Sequence, residues 1–397
     1  MKQDYTTNSC ALSRRSFLKT GAGAAVAAGC LHHISSNPLA ASSSHLRSTA
    51  EGKFICPPCG LPCDKLIFDK PGDCPQCGMT LIPVSGAGGP PKVAVLIYNG
   101  TEIIDFAGPW EAFGTAGFLV HTVAATAEPH TMVFGQKIVP DYTFLNNPKA
   151  DVLLVPGGGY GEAINTPGLL DWVKKNSEEV SHVISVCTGA LILGKAGLLD
   201  GLNATVTYGM EDELARYAPR AKVVSPRRFV DAGKIITTAG LTSGIDGALH
   251  LIEKMTSAGD AESVALNMEY NWSPDSQYSR AGLADRYLPD GLRFGRPRLR
   301  GAQATMISTT GDTTRWETRI LVSDPKTQKD IIDLLTQRLE ANKSYAQRVS
   351  IAGRPNPSEV RWTFFDEQSH KWIGLASAEA APEAKDKFVL LLKVSRG

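Results

Sequence analysis

Between residues 91 and 270 the chain alternates short, uniformly apolar runs with longer stretches whose apolar positions recur every three or four residues. Lys92-Val93-Ala94-Val95-Leu96-Ile97 reads as a strand covered on both faces, because a run without alternation leaves no side for water. The spacing predicts a helix from Asp105 to Gly117, a strand from Val120 to Ala125, and a strand from Asp151 to Val155 that stops at Pro156-Gly157-Gly158-Gly159. Leu169 to Val180 carries an amphipathic helical stripe and leads into the strand Val183 to Val186. A strand from Lys234 to Thr238 follows. The helix from Thr242 to Met255 has Ile245, Leu249 and Ile252 on one face, and a second helix runs from Ala261 to Tyr270. Strands alternating with helices predict an α/β fold with a doubly wound, mostly parallel sheet, whose sites lie beyond the carboxyl ends of the strands.

The pattern changes after Tyr270. Residues 271–300, rich in Gly, Pro and Arg, read as a connector. In 301–397, alternating runs (Ala302–Ser308, Trp316–Val322, Glu359–Phe365, Trp372–Ala376, Phe388–Val394) and one amphipathic helix, Asp324–Leu339 with Ile331, Leu334 and Leu335, predict a separate C-terminal α+β unit of unassigned role. A chain of 397 residues is long enough for two or three domains, which fits this division.

Chemistry first appears at Ile184-Ser185-Val186-Cys187-Thr188-Gly189-Ala190. A strand ends on a cysteine, small residues follow, and a helical stretch Ala190–Lys195 begins. This is the sequence of a nucleophile elbow, which tolerates only small neighbours because its turn residue is held in strained geometry. Sulfur over a helix N-terminus is expected to favour thiolate. The bland alternative is a small buried core cysteine.

A second set of cysteines stands in 54–84. Cys56-Pro57-Pro58-Cys59-Gly60 and Cys74-Pro75-Gln76-Cys77-Gly78 are C-x-x-C pairs separated by fourteen residues. Two such knuckles close a tetrahedral thiolate site, so Cys56, Cys59, Cys74 and Cys77 are the expected metal ligands, with Cys63 a spare or alternative one. So short a segment would take its folding energy from the metal. Disulfides compete with this reading, but five cysteines cannot all pair among themselves.

The first 41 residues are read as a targeting segment. Ser13-Arg14-Arg15-Ser16-Phe17-Leu18-Lys19 before the Gly/Ala-rich stretch Thr20–Gly29 matches a twin-arginine export signal, and residues 42–53 form a Ser-rich linker. Periplasmic or other extracytoplasmic localisation is expected. Ala40-Ala41 offers a cleavage point, and Cys30 a possible lipid anchor. Net charge is +1 with no basic block, which argues against nucleic acid as a partner. No apolar run reaches transmembrane length.

Five ordered motifs between Val93 and about Tyr270 resemble the ThiJ/PfpI family of the class I glutamine-amidotransferase-like superfamily, in the branch holding isonitrile hydratase and the sensor halves of AraC-type regulators. They are Ile104-Asp105-Phe106-Ala107-Gly108-Pro109, Leu154-Val155-Pro156-Gly157-Gly158, Val186-Cys187-Thr188-Gly189-Ala190, Ala196-Gly197-Leu198-Leu199-Asp200-Gly201, and Thr238-Ala239-Gly240 before Gly244-Ile245-Asp246. The resemblance implies that Cys187 attacks an electrophilic carbon of a small molecule, and that Asp105 lies against the thiol with a raised pKa as a proton donor. The competing reading of Asp105 is a helix N-cap. Backbone N–H groups around Gly158, Gly159 and Thr188 could hold a developing anion, and the Thr188 hydroxyl could orient water or cap the following helix.

Many relatives carry His soon after the nucleophile or about twenty residues later. Here Thr188 and Tyr208 stand in those places. That argues against a Cys-His peptidase and against a Cys-His-Glu glyoxalase-like site; the resemblance still implies addition of water to an isonitrile-like carbon. No cofactor is implied for the α/β domain, and a homodimer is the family default. A non-catalytic redox, ligand or metal sensor built on the same fold is the alternative. The ending Cys74-Pro75-Gln76-Cys77-Gly78-Met79 resembles the small heavy-metal-binding ribbon found beside metal-transport proteins. Those ribbons usually have His where Cys59 stands, which leaves zinc or a softer thiophilic ion open.

Overall fold

The computed structural model describes residues 54–56, 61–79, 81–83, 89–276, 278–289, 303–323, 327–341, 350–353, 356–382 and 387–397. The targeting segment, the linker and Cys59 lie outside the described residues.

The α/β domain is built on a seven-stranded sheet. Its strands are β1 (Lys92–Leu96), β2 (Leu119–Ala124), β3 (Tyr142–Thr143), β4 (Val152–Val155), β5 (His182–Val186), β6 (Phe229–Asp231) and β7 (Ile235–Thr238), in the spatial order β6-β7-β5-β4-β1-β2-β3. Every neighbouring pair is parallel except β6 with β7. The helices are α1 (Ile103–Thr115), α2 (Tyr160–Ala163), α3 (Leu169–Glu179), α4 (Gly189–Lys195), α5 (Glu211–Tyr217), α6 (Ser243–Met255) and α7 (Ala258–Asn267).

The unbroken apolar run of β1 now has its cause. Ala94 and Leu96 pack into a core with Leu169 and Val173 of α3 and Leu191 of α4. Val93 and Val95 face the opposite core, with Phe106 and Phe113 of α1 and Leu249 and Ile252 of α6. Helices therefore cover both faces, as a parallel sheet requires. The short pieces β3, β6, α2 and α5 carry no long periodic pattern and were not foreseen.

The C-terminal unit is a six-stranded antiparallel sheet: β8 (Gln303–Gly311), β9 (Arg315–Ser323), β10 (Ser350–Gly353), β11 (Glu359–Phe365), β12 (Lys371–Ala380) and β13 (Lys387–Arg396), ordered β8-β9-β13-β12-β11-β10. Its helix α8 (Gln328–Ala341) puts Ile331, Ile332, Leu335 and Leu339 into one core with Val360, Trp362 and Phe364 of β11. Only alternate residues of β11 are buried, the mark of a sheet with one wet face. Trp362 lies opposite Gly374, where a side chain would run into its indole. The connector also belongs to this core, through Ala284, Tyr287 and Leu288.

Candidate active site

Four loops at the carboxyl ends of β1, β4, β5 and β7 meet at Cys187. The chain leaves β5 at Val186, and Cys187 turns it into α4 with φ 59°. A non-glycine residue held there stores on the order of 1–3 kcal/mol, so its surroundings must fix it. The Cys187 N–H donates to the Ala239 carbonyl at 2.9 Å, beyond the end of β7. On the other side lies Gly157, where a Cβ would fall 2.6 Å from the Thr188 nitrogen and 2.7 Å from Cys187 Cβ. The glycine run after β4 is thus a close approach of one loop to the elbow.

Asp105 sits in the first turn of α1 and is fully buried. It is not the N-cap, a position held by Glu102. Its Oδ2 accepts from the Gly157 N–H at 3.1 Å and its Oδ1 from the Leu241 N–H at 3.0 Å. The Cys187 side chain lies beside it: a Cβ on Gly157 would fall 2.7 Å from Cys187 Cβ and 2.8 Å from Asp105 Oδ2. Burial above all, with help from the Glu102 charge and against the two amides, raises the Asp105 carboxyl to about 7.

The thiol moves in the direction opposite to the sequence expectation. Burial first, and the Asp105 charge second, push Cys187 up to about 12, against hydrogen bonds from Thr207 and the Thr188 amide. A helix N-terminus favours thiolate only weakly beside a carboxylate in a dry site. At neutral pH the sulfur therefore keeps its proton, while Asp105 is near its midpoint and able to receive it.

The remaining expected residues are engaged within the protein. The Gly158 N–H donates to Thr188 Oγ1 at 2.9 Å, and that hydroxyl donates to the Gly158 carbonyl at 3.1 Å. The Gly159 N–H donates to the Gly100 carbonyl at 2.8 Å. Neither glycine thus presents the free amide expected for an anion, and Thr188, at the N-cap position of α4, makes no side-chain cap bond and is buried; its hydroxyl ties the glycine loop to the elbow. The Arg280 guanidinium covers the Tyr208 ring at 4.7 Å, and Tyr208's neighbour Thr207 lies near the sulfur and lowers its pKa. His182 and His250 bond Ser181 and Asp231 and take no part.

Three contributors escaped sequence reasoning: Thr207, Leu241 and Tyr98. Tyr98 is buried and donates to the Pro156 carbonyl at 2.9 Å, holding the turn before Gly157. Its position just after the β1 run was the one available signal. Leu241, with φ 59°, had none.

The ribbon is a three-stranded antiparallel sheet, Ile67–Phe68, Phe54–Ile55 and Ile82–Pro83. Cys56, Cys63, Cys74 and Cys77 bring their sulfurs within 4.8 Å of one another, Cys56 and Cys77 at 3.1 Å. A tetrahedral thiolate shell of ~2.3 Å radius fits a cluster of that size. The Cys74 N–H donates to the Met79 carbonyl at 2.7 Å and the Gly78 N–H to the Cys74 carbonyl at 2.8 Å, the knuckle the spacing predicted. Among the described thiols the fourth is Cys63, carried by the short helix Pro62–Lys65. Cys77 is held down at about 7, first by the Met79 amide and next by its thiol neighbours.

Residues 91–254 match the DJ-1/PfpI family model. The isonitrile hydratase of Pseudomonas putida is 33% identical over 186 residues, which is 46% of this chain and 80% of that protein. The chain belongs to the DJ-1/PfpI family. An HTH-type transcriptional regulator of Pseudomonas aeruginosa is 28% identical over 170 residues, 42% of this chain and 50% of the regulator. A solved ThiJ/PfpI family protein from Pseudomonas syringae is 33% identical, with TM-score 0.44, covering 48% of this chain and 78% of that one. Residues 53–84 match the heavy metal binding domain.

Proposed function

We propose that this DJ-1/PfpI domain adds water to a small electrophilic carbon, with an isonitrile as substrate and an N-substituted formamide as product. The observation that carries the reading is the placement of Cys187 and the buried Asp105 carboxyl side by side against Gly157, with no histidine among the groups that chiefly set either pKa. In the first step sulfur bonds to the terminal isonitrile carbon. Its proton passes to Asp105 and from there to that carbon, leaving a thioimidate. Water then adds to the same carbon, the C–S bond breaks, and the thiol is restored. A carboxyl near 7 can take and return one proton without leaving its working range. The first amides of α4, which a helix leaves without intrahelical partners, lie next to the thiol as donors for charge developing on the substrate.

The ribbon would hold a thiophilic ion through Cys56, Cys74 and Cys77 with Cys63 or Cys59. The Arg14-Arg15 motif supports export by the twin-arginine route, and a homodimer is the family expectation. A non-catalytic sensor is the second reading, favoured by the protonated thiol and by the likeness to half of a transcriptional regulator. Incubation of the mature protein with a simple isonitrile, following formamide, separates the two. Turnover lost in both Cys187→Ala and Asp105→Ala supports the hydratase. No turnover by wild type, with Cys187 still open to a thiol probe, moves the weight to the sensor.

A further inference from the structure

The turn after β7 supplies two groups to the site: the Ala239 carbonyl to the Cys187 amide and the Leu241 N–H to Asp105. Leu241 is held at φ 59° and half exposed, so neither its side chain nor its own preference keeps it there. The restraint comes from Arg228. Its carbonyl accepts from the Ala239 N–H at 2.8 Å. Its guanidinium donates to Thr242 Oγ1 at 3.3 Å and to the Tyr270 hydroxyl at 3.2 Å, and forms an ion pair with Asp246. Tyr270 closes the network by donating to Asp246 Oδ1 at 3.1 Å. Asp246 is almost fully buried, and the Arg228 side chain is 14% exposed. A charged pair placed this deep against one turn is poorly explained as packing, since apolar residues of similar volume often serve stability as well or better.

We propose that Arg228, braced by Asp246 and Tyr270, is the positioning residue that sets the Ala239–Leu241 turn and so aims Asp105 at Cys187. The inference rests on Cys187 and Asp105 being the working pair, whatever their substrate. The titratable groups that act on Asp105 are Glu102 on its own helix, Cys187 on the elbow and Tyr98 after β1. Arg228 touches none of them, so it would act only through the turn.

The test uses the full chain and needs no turnover. Alkylation of Cys187 by iodoacetamide is followed from pH 5 to 9 by peptide mass spectrometry, with a free thiol peptide as internal reference. The wild-type rate should inflect near 7, where Asp105 titrates, and Asp105→Asn should remove the inflection. In Arg228→Gln the inflection should rise by about one pH unit, because losing the Leu241 N–H withdraws a bond that favours the carboxylate. Tyr270→Phe should move it the same way by less, and carries the test should Arg228→Gln not fold. Arg228→Lys should shift the inflection by less than Arg228→Gln does. The neutral pair Arg228→Gln with Asp246→Asn should keep the shift, which a simple charge effect at a distance would not. Folded variants whose inflection stays at the wild-type value overturn the proposal alone. A wild-type profile without an Asp105-dependent inflection overturns the working pair and the proposal with it.

Discussion

The ribbon and the elbow use the same side chain in opposite ways. In the ribbon, an amide and neighbouring thiols point hydrogens at Cys77 and hold it down at about 7. At the elbow, burial and a carboxylate push Cys187 up to about 12. What decides a thiol's state is its burial and the groups around the sulfur, more than the sulfur's place at the start of a helix. One environment favours the thiolate of Cys77; the other keeps the proton on Cys187.

Loss of a ribbon ligand breaks the comparison on the metal side. Cys56→Ser should lower zinc affinity on the order of 100-fold or more, because one of few ligands is gone and folding of the segment is linked to the metal. Competition against a chromophoric chelator reads this directly. Chelation should also open residues 54–84 to protease while the α/β domain keeps its circular dichroism. Unchanged affinity in Cys56→Ser would remove the ribbon from the comparison.

At the elbow, Asp105→Asn should cut hydration of an isonitrile by roughly 100- to 10,000-fold, the range for loss of a positioned acid–base group. In wild type, kcat/KM should rise with pH through about 7, since the form that accepts the thiol proton is the carboxylate. A flat profile between pH 5 and 9 would contradict the assigned role. Stability supplies an independent measure. The folded carboxyl is raised from 3.8 to about 7, so the native state holds this proton more tightly than the unfolded chain. Its contribution is complete below about pH 4 and is lost as pH rises through 7, by up to about 4 kcal/mol for a shift of that size. Urea midpoints at pH 5 and 8 should differ in that direction for wild type and much less for Asp105→Asn.

Gly157→Ala sharpens the elbow side with a smaller effect. The added methyl would meet Thr188, Cys187 and Asp105 within 3 Å. Overpacking of that kind costs about 1–3 kcal/mol, and here the strain falls on the elbow itself. Slower Cys187 alkylation with unchanged ribbon thiols is the expected readout; an undisturbed rate would mean the loops can part without consequence.

How much of this was legible in the chain follows from the physics of each element. The long apolar runs of β1, β4 and β5 declare a sheet buried on both faces, and Cys187 between a strand and small residues declares an elbow. Asp105 was reached through resemblance, because a lone acid in a helical first turn looks like any cap. The thiol's direction is not legible in the sequence because helix position is local, whereas burial by the whole fold, and then a carboxylate 82 residues away in sequence, override it. Gly158 and Gly159 were read as open donors, but a glycine run also lets backbones touch, and their amides were consumed in doing so. Cys63 looked surplus because it fits no C-x-x-C pair; a short helix, not a knuckle, delivers it.

The finest test concerns Thr207, beside the residue that sequence reasoning chose. Its hydroxyl stands near the sulfur across Gly240 and acts to lower the thiol pKa against the push of burial and Asp105. It is held in place from the β7 side, where a Cβ on Gly240 would lie 2.6 Å from its Oγ1. Thr207→Val keeps the shape and removes the donor, so the thiol should rise further and Cys187 alkylation at pH 8 should slow by a few-fold, about the worth of one neutral hydrogen bond. Thr207→Ser should recover the wild-type rate, and Tyr208→Phe should leave it unchanged, because the Tyr208 ring is spent on Arg280. If Tyr208→Phe slowed the reaction and Thr207→Val did not, the donor would be the tyrosine after all. The contrast between a sulfur surrounded by donors and one left with few would then need a different account at the elbow.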